Sequence, residues 1–488
     1  MSRAAPQRNP VLLPASALFG LALVIYGLCQ APLPEVLSGL YTIFTVEDVL
    51  ITDYMAIAGI GAAFVNAGLV TLVSTAILWR WDDSPNGATM VTVGLMAGFS
   101  LFGKNLVNMW PIFFGTVLYA VVKKESFATH VNLALRGTAL APMVSFMAVR
   151  FHPWLGVAVG LVVGFLLPPV AEHAHRVQNG MNLYSVGFSC GLLAMMMVPA
   201  FKAFGLNPAS AHHWSTGNNP RLGLALGALC GAFVIAGLCR GPKPVLKKYW
   251  ALLRTSGRVP SDYVRTFTPG PVLVNMGVNG LIATGYIVLT GGDLNGATIG
   301  AIFTIIGFSG YGKHAFNIVP VMAGVLLGSL TNHVDPNSSS LQLAGLFGTT
   351  LAPFAGVFGW PFGVLAGLLH SSVVLQAGLP LEGMNLYNNG FSGGLVAIVL
   401  YPILSSLVEW RRPVLLEEDL YAMFESDEPQ PPEELPGKER RLDRDRRSGG
   451  DRRSRQEEHG GEERRGGGDR RSGGDRRSER AEQGPEGQ

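Results

Sequence analysis

The chain has 488 residues, 48% of them hydrophobic and 15% charged, with mean hydropathy +0.30 and a formal net charge of +3. Residues from Arg411 onward carry 18 of the 37 Lys and Arg and 21 of the 34 Asp and Glu, so the first 410 residues form a separate, strongly apolar polymer. This near-balanced charge identifies no partner and gives no reason to expect nucleic acid. Cys29, Cys190, Cys230 and Cys239 all fall inside apolar runs, which argues against a disulfide scaffold.

A bilayer core of about 30 Å requires roughly 17 to 25 apolar residues of a spanning helix, and such runs recur through the first 410 residues. The first, Val11 to Cys29, follows Arg3 and Arg8; with Leu28 before Cys29 and no small-x-small site, it reads as a retained helix. Further spans are predicted at Met55 to Leu78, Ala88 to Phe102, Leu106 to Val122, Val131 to Val149, Trp154 to Val170, Gly187 to Phe204 and Leu222 to Cys239. A second set follows at Pro271 to Thr290, Ala297 to Tyr311, Ala315 to Leu330, Leu341 to Phe354, Gly359 to Leu375 and Gly390 to Val408.

The two sets share sequence. NGATMVTVGLMAGFSLFGKNLVNMWPIFFG at 86–115 and NGATIGAIFTIIGFSGYGKHAFNIVPVMAG at 295–324 match at 12 of 30 positions without a gap. GMNLYSVGFSCGL at 180–192 and GMNLYNNGFSGGL at 383–395 match at 10 of 13. The helices on either side of Lys104 and Lys313 are short. About 16 residues cover only about 24 Å, so each pair is either two tilted spans or a re-entrant hairpin, with the same parity either way.

Lys and Arg in short loops favour the cytoplasm. Arg3, Arg8, Lys123, Lys124, Arg176, the connector with Arg240, Lys243, Lys247, Lys248, Arg254, Arg258 and Arg265, and finally Arg411 and Arg412 then all face inward. The counterparts of the Lys123 and Arg176 loops, Asn332 to Ser340 and Gly378 to Asn388, contain no Lys or Arg and fall outside. The repeats are therefore expected to be inverted, with Leu222 to Cys239 as an extra crossing between them.

The expected fold is an all-α polytopic membrane protein with two inverted-topology repeats, short broken or re-entrant helix pairs and about 10 to 14 membrane segments. It divides into an N-terminal helix and loop (1–49), repeat one (50–205), a linking helix and basic connector (206–268), repeat two (269–410) and a charged tail (411–488). The tail, with its SGGDRRS units, lacks the apolar groups needed to offset ordering entropy and should be disordered. Both termini are expected in the cytoplasm of a bacterial cell, with the core in its plasma membrane.

Three features suggest a place for chemistry. Gly103-Lys104-Asn105 and Gly312-Lys313-His314 sit at the junctions of the short helices, followed by Asn108 and Pro111 or Asn317 and Pro320. Broken helices expose backbone groups that hold solutes, and a lysine buried in a membrane is functional by default; a lysine capping a surface loop would instead snorkel. GMNLYxxGFSxGL offers Asn182, Ser189, Asn385 and Ser392 as neutral contacts, although Gly at i and i+4 is also an ordinary packing device. Arg136 has Phe347 as its counterpart.

The 13 acidic residues of the core fall in loops or at helix ends, so the interior charges expected are positive and an anionic or neutral polar solute is favoured over a cation. His173, His175, His212 and His213 lack Cys or Asp partners at ligand spacing, so no metal site and no cofactor is expected. No Walker loop, HExxH or CxxC is present, and an enzyme is not expected. The expected partners are the lipid bilayer and a small solute, with a homo-oligomer left open. A transporter or channel is the leading reading; a membrane-embedded enzyme acting on lipid and a non-transporting scaffold are the alternatives.

The GFSxxGK motif with Asn317 and Pro320, together with GMNLYxxGFSxGL, resembles an uncharacterised bacterial family of duplicated transmembrane proteins, domain of unknown function 1576. The resemblance covers roughly residues 11–410 and implies an integral membrane protein without a known activity. GFSGGLVAIVL and NGATIGAIF are also similar to the Gly-rich helix starts of urea transporters, themselves inverted duplications, at the level of fold analogy.

Overall fold

The structure, a computed structural model, describes residues 11–208, 211–331 and 334–407, and among them every regular element is helical. The expected disordered tail lies outside the described residues, as do Arg3, Arg8, Arg411 and Arg412. Among the described residues nine helices are long and apolar enough to cross a membrane. This is a multi-pass membrane protein.

In the first repeat α1 (Leu12–Leu28) is followed by α2 (Leu33–Thr45), which turns away by 115°. Pro32 and Pro34 cause the turn, since proline lacks an N–H and excludes the α conformation from the residue before it. Then come α3 (Tyr54–Trp81), the short α4 (Gly87–Phe99) and α5 (Trp110–Lys123), α6 (Val131–Gly137) and α7 (Ala141–Arg150), α8 (Pro153–Val177) and α9 (Ser185–Ala203). The second repeat runs through α10 (Asn219–Leu238), α11 (Pro242–Leu252), α12 (Tyr263–Thr266), α13 (Pro269–Leu289), α14 (Gly296–Phe308), α15 (Ala315–Thr331), α16 (Ser339–Phe347), α17 (Ala352–Phe358), α18 (Trp360–Ala377) and α19 (Asn388–Leu407). Pro142 and Pro353, in the first turns of α7 and α17, break one span of each repeat into two helices joined by a 3-10 turn.

The helix read from sequence as an extra crossing has a partner. Gly27 packs on Gly61 and Val65, and Gly68 on Gly20 and Val24; likewise Gly237 packs on Gly270 and Val274, and Gly277 on Cys230 and Val234. Thus α10 lies along α13 as α1 lies along α3. The shared Val-Ile-x-Gly-Leu-Cys at 24–29 and 234–239 carries the same message.

α3 takes the chain from one end of the molecule, at Asp53, to the other, at Asp82. Near Asp82 lie the start of α6, through Asn132 (3.3 Å), and Arg265, which donates to Ser84 at 3.0 Å. At the Asp53 end Leu50 N–H donates to Gly383 O at 2.9 Å, Lys202 pairs with Glu382 at 2.5 Å, and His212 meets Ser339, at the start of α16, at 2.8 Å. The starts of α6 and α16 are equivalent in sequence and lie at opposite ends, so the repeats are inverted. The same contacts decide between tilted spans and hairpins: Arg136 and Asn132 of α6 bond back to the start of α4 and its preceding turn, so α4 enters and α5 leaves at one end. α4–α5 and α14–α15 are re-entrant hairpins.

The two hairpins interpenetrate. All thirteen residues of α14 are buried, the mark of a helix apolar on every side at the centre of a bundle. α4 crosses it antiparallel through Gly94, Gly98, Gly300 and Gly307; a Cβ on Gly94 would lie 2.7 Å from Phe303 O, and one on Gly300 2.5 Å from Gly98 O. Backbone cannot yield as a side chain can. Gly98→Ala should therefore destabilise the purified protein by about 1 to 3 kcal/mol, read as a lower unfolding midpoint in detergent, while Gly227→Ala, in open space on α10, should leave it unchanged.

Candidate functional site

Each hairpin is anchored by a carboxylate from the other repeat. Asp53 Oδ1 accepts from its own helix at Met55 N (2.9 Å) and from Gly296 N at the start of α14 (3.0 Å), while Oδ2 accepts from Ser215 N and Oγ. Asp262 Oδ1 accepts from Val264 N and Arg265 N (both 3.1 Å) and from Gly87 N at the start of α4 (3.0 Å). The first N–H groups of a helix lack intrahelical partners and carry the positive end of its dipole. Asn86 and Asn295 supply the remaining caps.

At the tips the free carbonyls are held by asparagines from the neighbouring span. Asn66 Nδ2 donates to Ser100 O (2.7 Å) and Lys104 O (3.0 Å), and Asn275 Nδ2 to Ser309 O (2.8 Å) and Lys313 O (2.7 Å). Gly103 and Gly312 take positive φ at the turn, where a side chain would be strained. Of the residues singled out from sequence, Asn105, Asn108, His314 and Asn317 close these tips: Asn105 N donates to Asn108 Oδ1 and His314 N to Asn317 Oδ1, both at 2.9 Å.

The acidic residues need a finer description than their loop positions suggested. Asp48, Asp53 and Asp262 do lie in loops or at helix ends, yet all three are buried, because the segments before α3 and α12 fold inward onto the hairpin tips. Asp48 accepts from Tyr54 OH (2.8 Å), Asn108 Nδ2 (2.9 Å), Ser145 Oγ (2.8 Å) and, more weakly, Asn105 Nδ2 (3.4 Å). In the second repeat Gly257 and Gly356 stand where Asp48 and Ser145 stand in the first. Carboxylates surrounded by donors in this way bind the scaffold and have little capacity left for a cation.

Lys104 and Lys313 are fully buried, not at a surface, and no carboxylate among the described residues pairs with either. Lys313 Nζ donates to Tyr184 OH and to Thr349 Oγ1 (2.7 Å) and lies 4.3 Å from the centre of the Tyr184 ring. Lys104 Nζ lies 5.2 Å from the Phe99 centroid, with the Met96 sulfur at 3.4 Å. The tyrosines belong to the repeated GMNLY motif, and their rings meet across the molecular centre at 4.7 Å. Phe188 and Phe391 stack at 5.7 Å beside them.

Asn182 and Asn385 flank this centre differently. Asn182 Oδ1 accepts from Thr350 Oγ1 and Tyr184 N, and its Nδ2 donates to Gly390 O at 3.1 Å, which closes that side. Ala139 occupies the place of Thr350 in the first repeat and offers Leu386 N only its carbonyl, at 3.0 Å. Asn385 is likewise buried, with its Nδ2 donating to Gly187 O at 3.3 Å, and it lines a cavity of 470 Å³ at the Asp53 end together with His212, Ser339, Asn388 and Asn389. Ser189 and Ser392 bond back to Ser185 O (3.0 Å) and Asn388 O (3.3 Å) of their own helices. Arg136 is tied to Thr92 Oγ1 (2.9 Å) and Ala88 O. These three are occupied by local structure.

Sequence reading passed over Asn66, Asn275, Thr138, Thr349 and the crossed Asp53 and Asp262, although Val-Asn-x-Gly at 65–68 and 274–277 recurs at the spacing of the hairpins. It also missed His370, buried on α18 with Nε2 3.1 Å from Asn389 Oδ1, whose counterpart is Leu167. Asp262→Asn should weaken the cap on α4 and cost about 1 kcal/mol of stability. The check is the unfolding midpoint, with Asp335→Asn, in an exposed turn, showing no change.

The comparisons agree with this duplicated architecture. A family described as protein of unknown function (DUF1576) matches residues 33–203 and again 242–406, one match on each repeat. Neither the curated proteins nor the solved structures contain a match. With more than half of its length covered in two copies, the chain belongs to the DUF1576 family.

Proposed function

We propose that the protein moves a small polar or anionic solute across the bacterial plasma membrane, as a carrier or channel with its pathway between the two inverted repeats. The observation that carries this reading is the pair of lysines presented to the centre by hairpins entering from opposite ends, buried and without a carboxylate partner among the described residues. Placing a charged side chain at the middle of a bilayer costs at least about 2.5 kcal/mol, and stability alone gives no reason to retain two. Inverted repeats with broken helices at mid-membrane are a common transporter plan.

The 470 Å³ cavity supports an entrance at the Asp53 end. The Lys and Arg distribution favours an orientation with that end outside the cell and both termini in the cytoplasm. Asn385 lines this cavity and its Oδ1 accepts the backbone N–H of Tyr387 at 3.0 Å, which supports an entrance leading toward the central tyrosines. The test is uptake into proteoliposomes of labelled formate, acetate, nitrate, phosphate, urea and glycerol. At least one should enter at a rate that falls tenfold or more in Lys104→Ala and in Lys313→Ala, both variants eluting from gel filtration like the parent. Uptake that survives both substitutions would overturn the reading.

A further inference from the structure

Descent from one ancestral hairpin gives the two lysines the same frame of neighbours, and the frames differ in one respect. At the second hairpin Lys313 and Thr349 form a closed triad with Tyr184 of the first repeat: the ammonium donates to both hydroxyls, over the Phe308 ring at 5.1 Å. The equivalent residues at the first hairpin are Lys104 and Thr138 with Tyr387 of the second repeat, and Phe99 for Phe308. Lys104 Nζ sits 5.2 Å from Phe99 and the Tyr387 ring 5.0 Å from Phe99, so all the parts are present. The bonds are not made. Tyr387 OH is buried without a hydrogen-bond partner, and the Lys104 ammonium and the Thr138 hydroxyl instead both approach the Met96 sulfur, at 3.4 and 3.7 Å. Met96 stands where the second repeat has Ile305.

A thioether is a weak acceptor on a flexible side chain, and a buried donor without a good acceptor is costly. The first hairpin and Tyr387 therefore present an ammonium and a phenolic hydroxyl that lack a strong oxygen or anionic acceptor, beside a side chain able to move aside. We propose that Lys104 and Tyr387 form the binding site for a small monovalent anion, with Met96, Phe99 and Thr138 as its walls, and that the closed triad at Lys313 is its structural counterpart. This deepens the pathway reading given above and rests on it. One formal positive charge in the triad matches one negative charge, and walls that are fully buried favour a small ion such as a halide, nitrate or formate over a bulky one. Asn385, two residues before Tyr387, lines the outer cavity.

The experiment is the unfolding midpoint of the purified full chain in uncharged detergent, titrated with sodium chloride, nitrate or formate at constant sodium by replacement of gluconate. At least one of the three anions should raise the midpoint saturably. Tyr387→Phe and Met96→Ile, both gentle changes of shape, should weaken the half-saturating concentration at least tenfold, while Tyr184→Phe leaves it within twofold. Equal half-saturation in Tyr387→Phe and the parent, or no saturable shift with any of the three anions, overturns the proposal. The two readings separate cleanly: no saturable shift alongside solute uptake that still depends on Lys313 removes the anion site and leaves the pathway. Saturable binding that depends on Tyr387, with no uptake of any solute, does the opposite.

Discussion

The antiparallel contact of α4 with α14 is the constraint from which the rest follows. Two helices of thirteen residues are too short to span a bilayer, and each begins with N–H groups that need acceptors. Packed through glycines, each reaches the far end of the other, where a carboxylate of the opposite repeat waits at Gly87 or Gly296. Neither hairpin can be completed by its own repeat. The duplication is therefore an obligate pairing, and the two lysines at the tips are held at defined positions by Asn66 and Asn275.

Much of this was legible from residue order because duplication supplies an internal comparison. The matching NGAT and GMNLY segments gave the repeats, and the missing Lys and Arg in Asn332 to Ser340 and Gly378 to Asn388 gave the inversion. Hydropathy could not separate tilted spans from hairpins, since length and composition are the same for both; the contacts of Asn132 and Arg136 with the start of α4 decide it. Nor could it show that Asp48, Asp53 and Asp262 are buried. Loop residues are read as solvated by default, and the donors these three accept from lie up to 243 positions away in sequence.

Departures from symmetry hold the functional information. Asp48 against Gly257, Met96 against Ile305, Thr350 against Ala139 and His370 against Leu167 each leave one half of the molecule closed and the other differently occupied. Thr350 donates to Asn182; Ala139 stands in its place beside Asn385, which lines a cavity.

The crossed anchors and the paired lysines both depend on the halves crossing the lipid in opposite senses. The most direct measurement is labelling by a membrane-impermeant maleimide of two single-cysteine proteins, Ser126→Cys and Asn337→Cys, in a chain cleared of its four native cysteines. Both positions are exposed, in turns that are equivalent in sequence. The account predicts that Asn337→Cys labels in intact cells and Ser126→Cys only after the membrane is permeabilised. Labelling of both from the same side would contradict it.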